Sequence, residues 1–483
     1  MGLILSTALP LMLGNVFQQL YTLVDAGVVG RGIGLDALAA LGSADWFNWL
    51  FISIAQGLAQ GFSIPIAHAF GAKDYGNLRK YAGSAATLGL ICAAAVTGLA
   101  LAAVRPVLGW MGTPEAVRPM ASAYLTVLFS GLPVVMAYNL LAGMLRGLGD
   151  SRSPFWAMVI ASLVNIALDA LFVLGFGWGV KSAAAATVIA QVVSCAFCLL
   201  RLRGAPLMRL SREDMKPDGK RWRALMRLGA PVSGQNCIIA VGGMIVQTVV
   251  NPMGVAFIAG YTATNKLYGL LEIAAVSYGY ALSAYAGQNL GARRFDRIRE
   301  GVRAGLISGA ATALGIGAVM LLFGHLFIGM FIDQSPLSGE ATAIALEYLR
   351  VMACCLPVLY VLYVYRSTLQ GMGNTLMPMV SGLAEFVMRT ASALLLPGLI
   401  GHSGVFWAEV LAWLGADLIL IPSYHAAYRR AAKHPAGEAG TTRRPPFSTR
   451  KEQKNIFRKP QSHRFYPRPG RLGPARREPQ AAP

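Results

Sequence analysis

Apolar residues in this chain run in blocks instead of alternating. About twelve stretches of 20 to 30 residues are separated by short polar connections, and each is long enough to cross a hydrocarbon core, which takes about 20 helical residues. The pattern predicts helices over roughly 3–30, 38–70, 81–104, 120–145, 155–178 and 182–202, then 229–251, 254–288, 302–330, 340–365, 376–399 and 403–427. The shorter strand-like segments of alternating polarity that a membrane barrel needs are absent. The first block starts almost at Met1 without a basic leader or cleavage site, so it is expected to stay as a membrane span.

Composition agrees: 55% of residues are apolar and 13% charged, with mean hydropathy +0.52, against roughly 25% charged in a typical soluble domain. The chain therefore reads as an integral membrane protein. Of 42 Lys and Arg, 20 lie in connections after even-numbered stretches and five on the opposite side. The positive-inside rule then predicts a multi-pass protein of the cell membrane with both termini in the cytoplasm.

The net charge of +20 does not argue for nucleic acid, because the segment from Arg429 onward holds 15 basic and three acidic residues. That Pro-rich tail, over 429–483, is expected to be disordered and to meet anionic lipid headgroups. All six cysteines lie in apolar stretches, and Cys195-x-x-Cys198 has no second pair; small packing residues explain them without a metal or redox site.

The two halves repeat. "FGAKDYGNLRKYAG" from Phe70 aligns with "LGARRFDRIREGVRAG" from Leu290 at an offset of 220, and "LRGLGDSRSP" from Leu145 aligns with "LQGMGNTLMP" from Leu369 at 224. Six helices followed by six in the same orientation make a parallel repeat, an architecture of transporters that bind between halves. The expected organisation is a first lobe over 1–202, a cytoplasmic linker over 203–228 and a second lobe over 229–428.

A charge at mid-bilayer costs about 2.5 to 3.5 kcal/mol, so intramembrane acids normally face the bundle interior. Those at membrane depth are Asp25, Asp45, Asp169, Glu272, Glu385, Glu409 and Asp417. Counting helix rise from the outer ends puts Asp25, Asp169 and Thr187 at a common depth of roughly 8 or 9 Å. Asn165 stands one turn below Asp169 on the same helix face. Two carboxylates, an amide and a hydroxyl then share one zone of the first bundle. Oxygen ligands suit Na⁺, and paired carboxylates, titrating as a unit, also suit a proton. The competing reading makes both acids polar glue between helices.

The second half lacks this set: Asp25 aligns with Val246, and Asn165 and Asp169 align with Arg389 and Ala393. Glu385 and Arg389, one turn apart, are expected to form a structural ion pair. Glu272 has no evident partner along its own helix and is a candidate for facing substrate, while the sequence does not separate the roles of Glu409 and Asp417. No Walker loop, HExxH, GxSxG or zinc-type cluster occurs, so an enzyme or an ATP-driven pump is not expected.

"ALPLMLGNVFQQLYTLVDAGVVGRGIGLDALAALG", "LRGLGDSRSP", "GYTATNKLYG" and "GQNLGARRFDRI" resemble the MATE (multidrug and toxic compound extrusion) transporters over roughly residues 3–428. The resemblance implies two six-helix lobes in a V, as in the wider MOP superfamily, and alternating access. It also implies export of organic cations against inward H⁺ or Na⁺, with no cofactor. The family's first-lobe cation site maps onto Asp25, Asn165, Asp169 and Thr187. One departure is "PVSGQNCIIAVGG", where some members carry an acid; Gln235 and Asn236 are its polar groups and join Glu272 as candidates for lining a substrate cavity. Pro10 is the expected hinge through which ion binding repacks the first helix. The partners expected are organic cations and membrane lipids, with no nucleic acid, and the chain acting as a monomer. The rival is a flippase for polyprenyl pyrophosphate precursors, which would want basic residues facing its cavity.

Overall fold

In lipid, backbone N–H and C=O groups must be satisfied within the segment, which leaves the helix as the fold of an apolar block. A computed structural model of the protein describes residues 2–33, 35–110, 115, 117–329 and 338–433. Of the tail over 429–483, expected to be disordered and to meet lipid headgroups, residues 429–433 continue the last helix, and the remainder from 434 onward lies outside the described residues.

The first half comprises α1 (Gly2–Gly32), α2 (Leu35–Gly71), α3 (Tyr75–Trp110), α4 (Arg118–Ser130), α5 (Leu132–Gly147), α6 (Arg152–Asp169) and α7 (Val180–Arg203). The second comprises α8 (Gly219–Val250), α9 (Val255–Gly291), α10 (Phe295–Ile328), α11 (Ser338–Gly371), α12 (Leu376–Leu395), the single turn α13 (Pro397–Ile400) and α14 (Ser403–Lys433). Among the described residues nine helices are long and apolar enough to cross a membrane. The pair α4 and α5, bent by 43°, makes a tenth span. With α1 and α9 the chain is an all-α, polytopic membrane protein of two six-helix lobes in parallel repeat.

Several boundaries differ from those the hydropathy pattern predicts. The fourth block is broken at Gly131, with Pro133 in the first turn of α5, because a proline there removes a donor from the preceding turn. Helices also run past their apolar blocks into the basic connections: α3 starts at Tyr75, α10 at Phe295 and α8 at Gly219. The expected linker over 203–228 is thereby shortened. Asp218 starts α8 by accepting hydrogen bonds from the N–H groups of Lys220 and Arg221, at 2.9 and 3.2 Å, the role of an N-cap.

The repeat is carried into the backbone. After α2, the N–H groups of Ala72, Lys73 and Asp74 donate to the carbonyls of His68, Phe70 and Ala69. After α9, those of Ala292, Arg293 and Arg294 donate to Gln288, Leu290 and Asn289. Lys73 and Arg293 both take left-handed φ, at 58° and 56°. The turns after α5 and α11 match in the same way, with Gly149 and Gly373 at φ 86° and 81°. All four are Schellman closures, in which a left-handed residue satisfies the last carbonyls of a helix. They lie at the basic end of the bundle, the one that carries the Lys- and Arg-rich connections.

Each lobe has its own core, and α1 reaches across. Ile4 and Ala8 are buried with Tyr278, Tyr348, Phe406 and Trp413 of the second lobe. The lobes touch closely where α2 crosses α8: a Cβ on Gly61 would come within 2.3 Å of Gly229 Cα, so glycine is required there. Further bonds cross the interface from Asn15 Nδ2 to Ser277 Oγ (3.1 Å) and from Ser233 Oγ to the Ile54 carbonyl (3.2 Å).

Candidate cation site in the first lobe

Helices α1, α6 and α7 pack together in the first lobe, and the four expected residues sit on them. Asn165 and Asp169 are fully buried and Asp25 nearly so; Thr187 is half-buried. Asn165 Nδ2 donates to Thr187 Oγ1 at 3.4 Å, which ties α6 to α7. Asp25 is the charged neighbour that Asp169 faces, and Asp45 of α2 is the one that Asp25 faces.

The polar atoms that remain carry the chemistry. Asp25 Oδ1, Asn165 Oδ1 and both carboxyl oxygens of Asp169 are buried with no hydrogen-bond partner among the described residues. Buried polar atoms are nearly always paired, and an unpaired buried carboxylate is expensive. Four such oxygens on three adjacent side chains form an acceptor cluster that a proton or a small hard cation would complete. As polar glue the acids would be bonded to neighbouring helices, and these oxygens are not. Among the described residues no three His, Cys, Asp or Glu side chains are placed to hold a metal, so any cation here would rest on amide and hydroxyl oxygens as well.

The helix under the site changes winding at the site itself. Directly after Asp169, Ala170–Gly175 is a π turn, continued by bonds from the Phe176 N–H to the Leu171 carbonyl and from the Trp178 N–H to the Phe172 carbonyl, both 3.0 Å. Such turns are rare and gather at functional sites. Phe172, Phe176 and Trp178 cluster there, with centroids of neighbouring rings 5.1 to 6.5 Å apart. Pro10, the expected hinge, lies inside α1, which is helical without interruption on either side of it.

The second lobe holds a different polar centre. Arg389 Nη2 lies 2.9 Å from Glu385, the expected pair, and 2.8 Å from Glu409 of α14. Arg366 of α11 completes the cluster at 2.6 Å from Glu385. The spacing in sequence gave no sign of Arg366 or of the Glu409 contact, since both reach across helices. Glu272, which has no partner on its own helix, accepts a hydrogen bond from Tyr363 Oη of α11 at 2.7 Å. Asp417 is buried with Oδ1 unpartnered among the described residues.

The two polar groups of α8 are also engaged. Gln235 Oε1 accepts from Gln370 Nε2 at 3.1 Å, and Asn236 Nδ2 donates to the Ser53 carbonyl across the lobes at 3.1 Å. Glu272, Gln235 and Asn236, grouped by sequence as candidates for one substrate cavity, therefore have separate protein partners in this conformation. Between the lobes, exposed Asp45 of α2 and exposed Lys266 of α9 lie within electrostatic range of one another.

Comparison with known proteins gives concordant matches. The MatE family matches residues 10–171 and 231–395, one segment in each half. "Probable multidrug resistance protein YoeA" of Bacillus subtilis (strain 168) is 32% identical over 333 residues, covering 67% of this chain and 72% of its own. "Probable multidrug resistance protein YpnP" of the same organism is 27% identical over 401 residues, 82% of this chain and 88% of its own. A multidrug resistance MATE transporter of the MOP superfamily, solved in an outward-facing conformation, superposes with a TM-score of 0.83 at 24% identity, over 89% of this chain and 96% of that one.

Proposed function

From the premise that this chain belongs to the MatE family, and so is a multi-pass membrane transporter of the multidrug-efflux type and not an enzyme, we propose that it is a secondary active antiporter. It exports organic cations across the cytoplasmic membrane, with both termini inside, in exchange for H⁺ or Na⁺ held among Asp25, Asn165, Asp169 and Thr187.

The observation that carries this reading is the set of four buried, unpartnered oxygens on Asp25, Asn165 and Asp169. A proton on one carboxyl, or a monovalent cation among these oxygens and the Thr187 hydroxyl, would remove the desolvation cost of two buried like charges. Binding at this site alters how α1 packs on α6 and α7, and α1 also packs into the second lobe through Ile4 and Ala8. An ion shifts two states only through its different affinity for them, so exchange follows when ion and drug prefer opposite states. One charge crossing 100 mV is worth about 2.3 kcal/mol, roughly a fifty-fold gradient.

Uptake of a cationic dye into everted vesicles, with a pH gradient and a Na⁺ gradient imposed separately, tests the proposal. The Asp25→Asn, Asp169→Asn double variant is expected to lose coupled uptake; full transport by it would overturn the site. A protein that ignores cationic dyes but translocates a polyprenyl pyrophosphate would be a flippase instead.

A further inference from the structure

His68 and Gln288 are equivalent positions of the internal repeat, 220 residues apart, in the last turns of α2 and α9. Gly147 and Gly371 are equivalent at the repeat's second offset, 224, and are the last residues of α5 and α11. The structure joins these positions crosswise. His68 Nε2 lies 2.7 Å from the Gly371 carbonyl of the other lobe, and Gln288 Nε2 donates to the Gly147 carbonyl, also of the other lobe, at 2.8 Å. A carbonyl can only accept, so His68 carries its proton on Nε2.

The backbones beneath are interlocked in the same reciprocal way. A Cβ on Gly71 would meet the Gln288 carbonyl oxygen at 1.9 Å, and one on Gly291 would meet that of His68 at 2.0 Å. A second related pair lies beside the first: Gln60 Nε2 donates to Gln370 Oε1 at 3.0 Å, and at the equivalent positions the Arg146 guanidinium stands 4.5 Å over the Tyr280 ring. Between these groups remains a cavity of about 20 Å³, room for a single water.

We propose that His68 and Gln288 are two matched latches that close the basic end of the protein, each needed to hold it shut and each released when the lobes part there. The proposal rests on the reading of this chain as an alternating-access exporter. The acceptors are last-turn carbonyls with no partner inside their own helix. In the closed state they are buried, and losing the donor strands them; in the open state water replaces it. Removing a latch therefore penalises the closed state alone, by about the worth of one hydrogen bond, or roughly fivefold in the open-to-closed ratio.

Labelling of Ser63→Cys tests this in the full chain, in lipid nanodiscs, on a background whose six native cysteines are alanine. Ser63 lines the small cavity, so the rate with a polar maleimide follows the open population even when it is small. His68→Ala and Gln288→Ala should each raise the rate about fivefold and together about twenty-five-fold, with thermal transitions retained. His68→Gln and Gln288→His keep a donor at each place and should stay within twofold of the reference. Rates unchanged in both alanine variants, an effect of only one of them, or His68→Gln labelling like His68→Ala would overturn the proposal. If the alanine variants lose their thermal transition, the two donor-retaining variants decide, and labelling at alanine-like rates in folded protein counts against it. Because labelling needs no substrate, a failure to export cations would sink the transport reading and leave this result intact.

Discussion

Arg389 of α12 bonds Glu409 of α14 at 2.8 Å while also holding Glu385 on its own helix. The two helices are thus joined by a buried charge shared between two acids, one of which Arg366 supports from a third helix.

Arg389→Met should be strongly destabilising, because it leaves the half-buried Glu409 without its cation. Breaking a buried pair from one side costs about 3 to 5 kcal/mol, whereas replacing both partners by apolar groups is often neutral. Thermal unfolding in detergent should show a large fall for Arg389→Met and recovery of most of it in Arg389→Met, Glu409→Leu.

Thr187→Val tests which ion the first-lobe site holds. The hydroxyl can ligate Na⁺ but adds nothing to a carboxyl proton, and valine preserves its shape. A five- to tenfold rise in the Na⁺ concentration for half-maximal transport, the worth of one polar contact, would identify Na⁺. An unchanged response to the pH gradient, with no Na⁺ dependence, would identify H⁺.

Gly83→Ala should free the connection between the lobes. A Cβ there would lie 2.1 Å from the Asp214 carbonyl oxygen, so α3 and the linker cannot both keep their places. The cost expected of such overpacking is about 1 to 3 kcal/mol, and limited proteolysis within 204–218 should quicken while the lobes stay folded.

Asp214 makes the same connection pH-sensitive. Its carboxylate accepts from the N–H and hydroxyl of Ser211, at 2.9 and 2.8 Å. The backbone bond foremost, with the nearby Arg79 adding to it, holds its pKa below the ordinary carboxylate value. A depressed folded pKa means the anchor is complete above about pH 4 and is lost as pH falls below it. Hydrogen exchange in 209–216 should rise on acidification, and Asp214→Asn should show part of that rise already at pH 7.

How much of this the sequence disclosed depends on distance along the chain. Asn165 and Asp169 were legible as neighbours because four residues make one helical turn, and the repeat was legible because its turns need a glycine or a left-handed residue at fixed places. Glu385 and Arg389 were legible for the first reason. Arg366, Tyr363 and Glu409 meet their partners across helices, and nothing in a local pattern marks such contacts. The break at Gly131 had its signal in Gly-x-Pro, but the surrounding apolar run hid it. The polar ends of α3, α8 and α10 were missed because hydropathy reports the membrane's thickness, and a helix stops where its caps are, not where lipid does.

The π turn after Asp169 also says something about the spelling of the chain. A π turn spends one residue more per turn than an α-helix, so Ala170–Gly175 holds a surplus residue that α-helical winding could absorb only by rotating the end that follows, with Phe176 and Trp178, relative to Asp169. Deleting a single residue from this segment should let it wind as ordinary α-helix, a shorter and more regular protein. What that protein would lose is the misfit beside the acids: the irregularity is the tolerance by which the outer end of this helix and the carboxylate beneath it can be oriented independently.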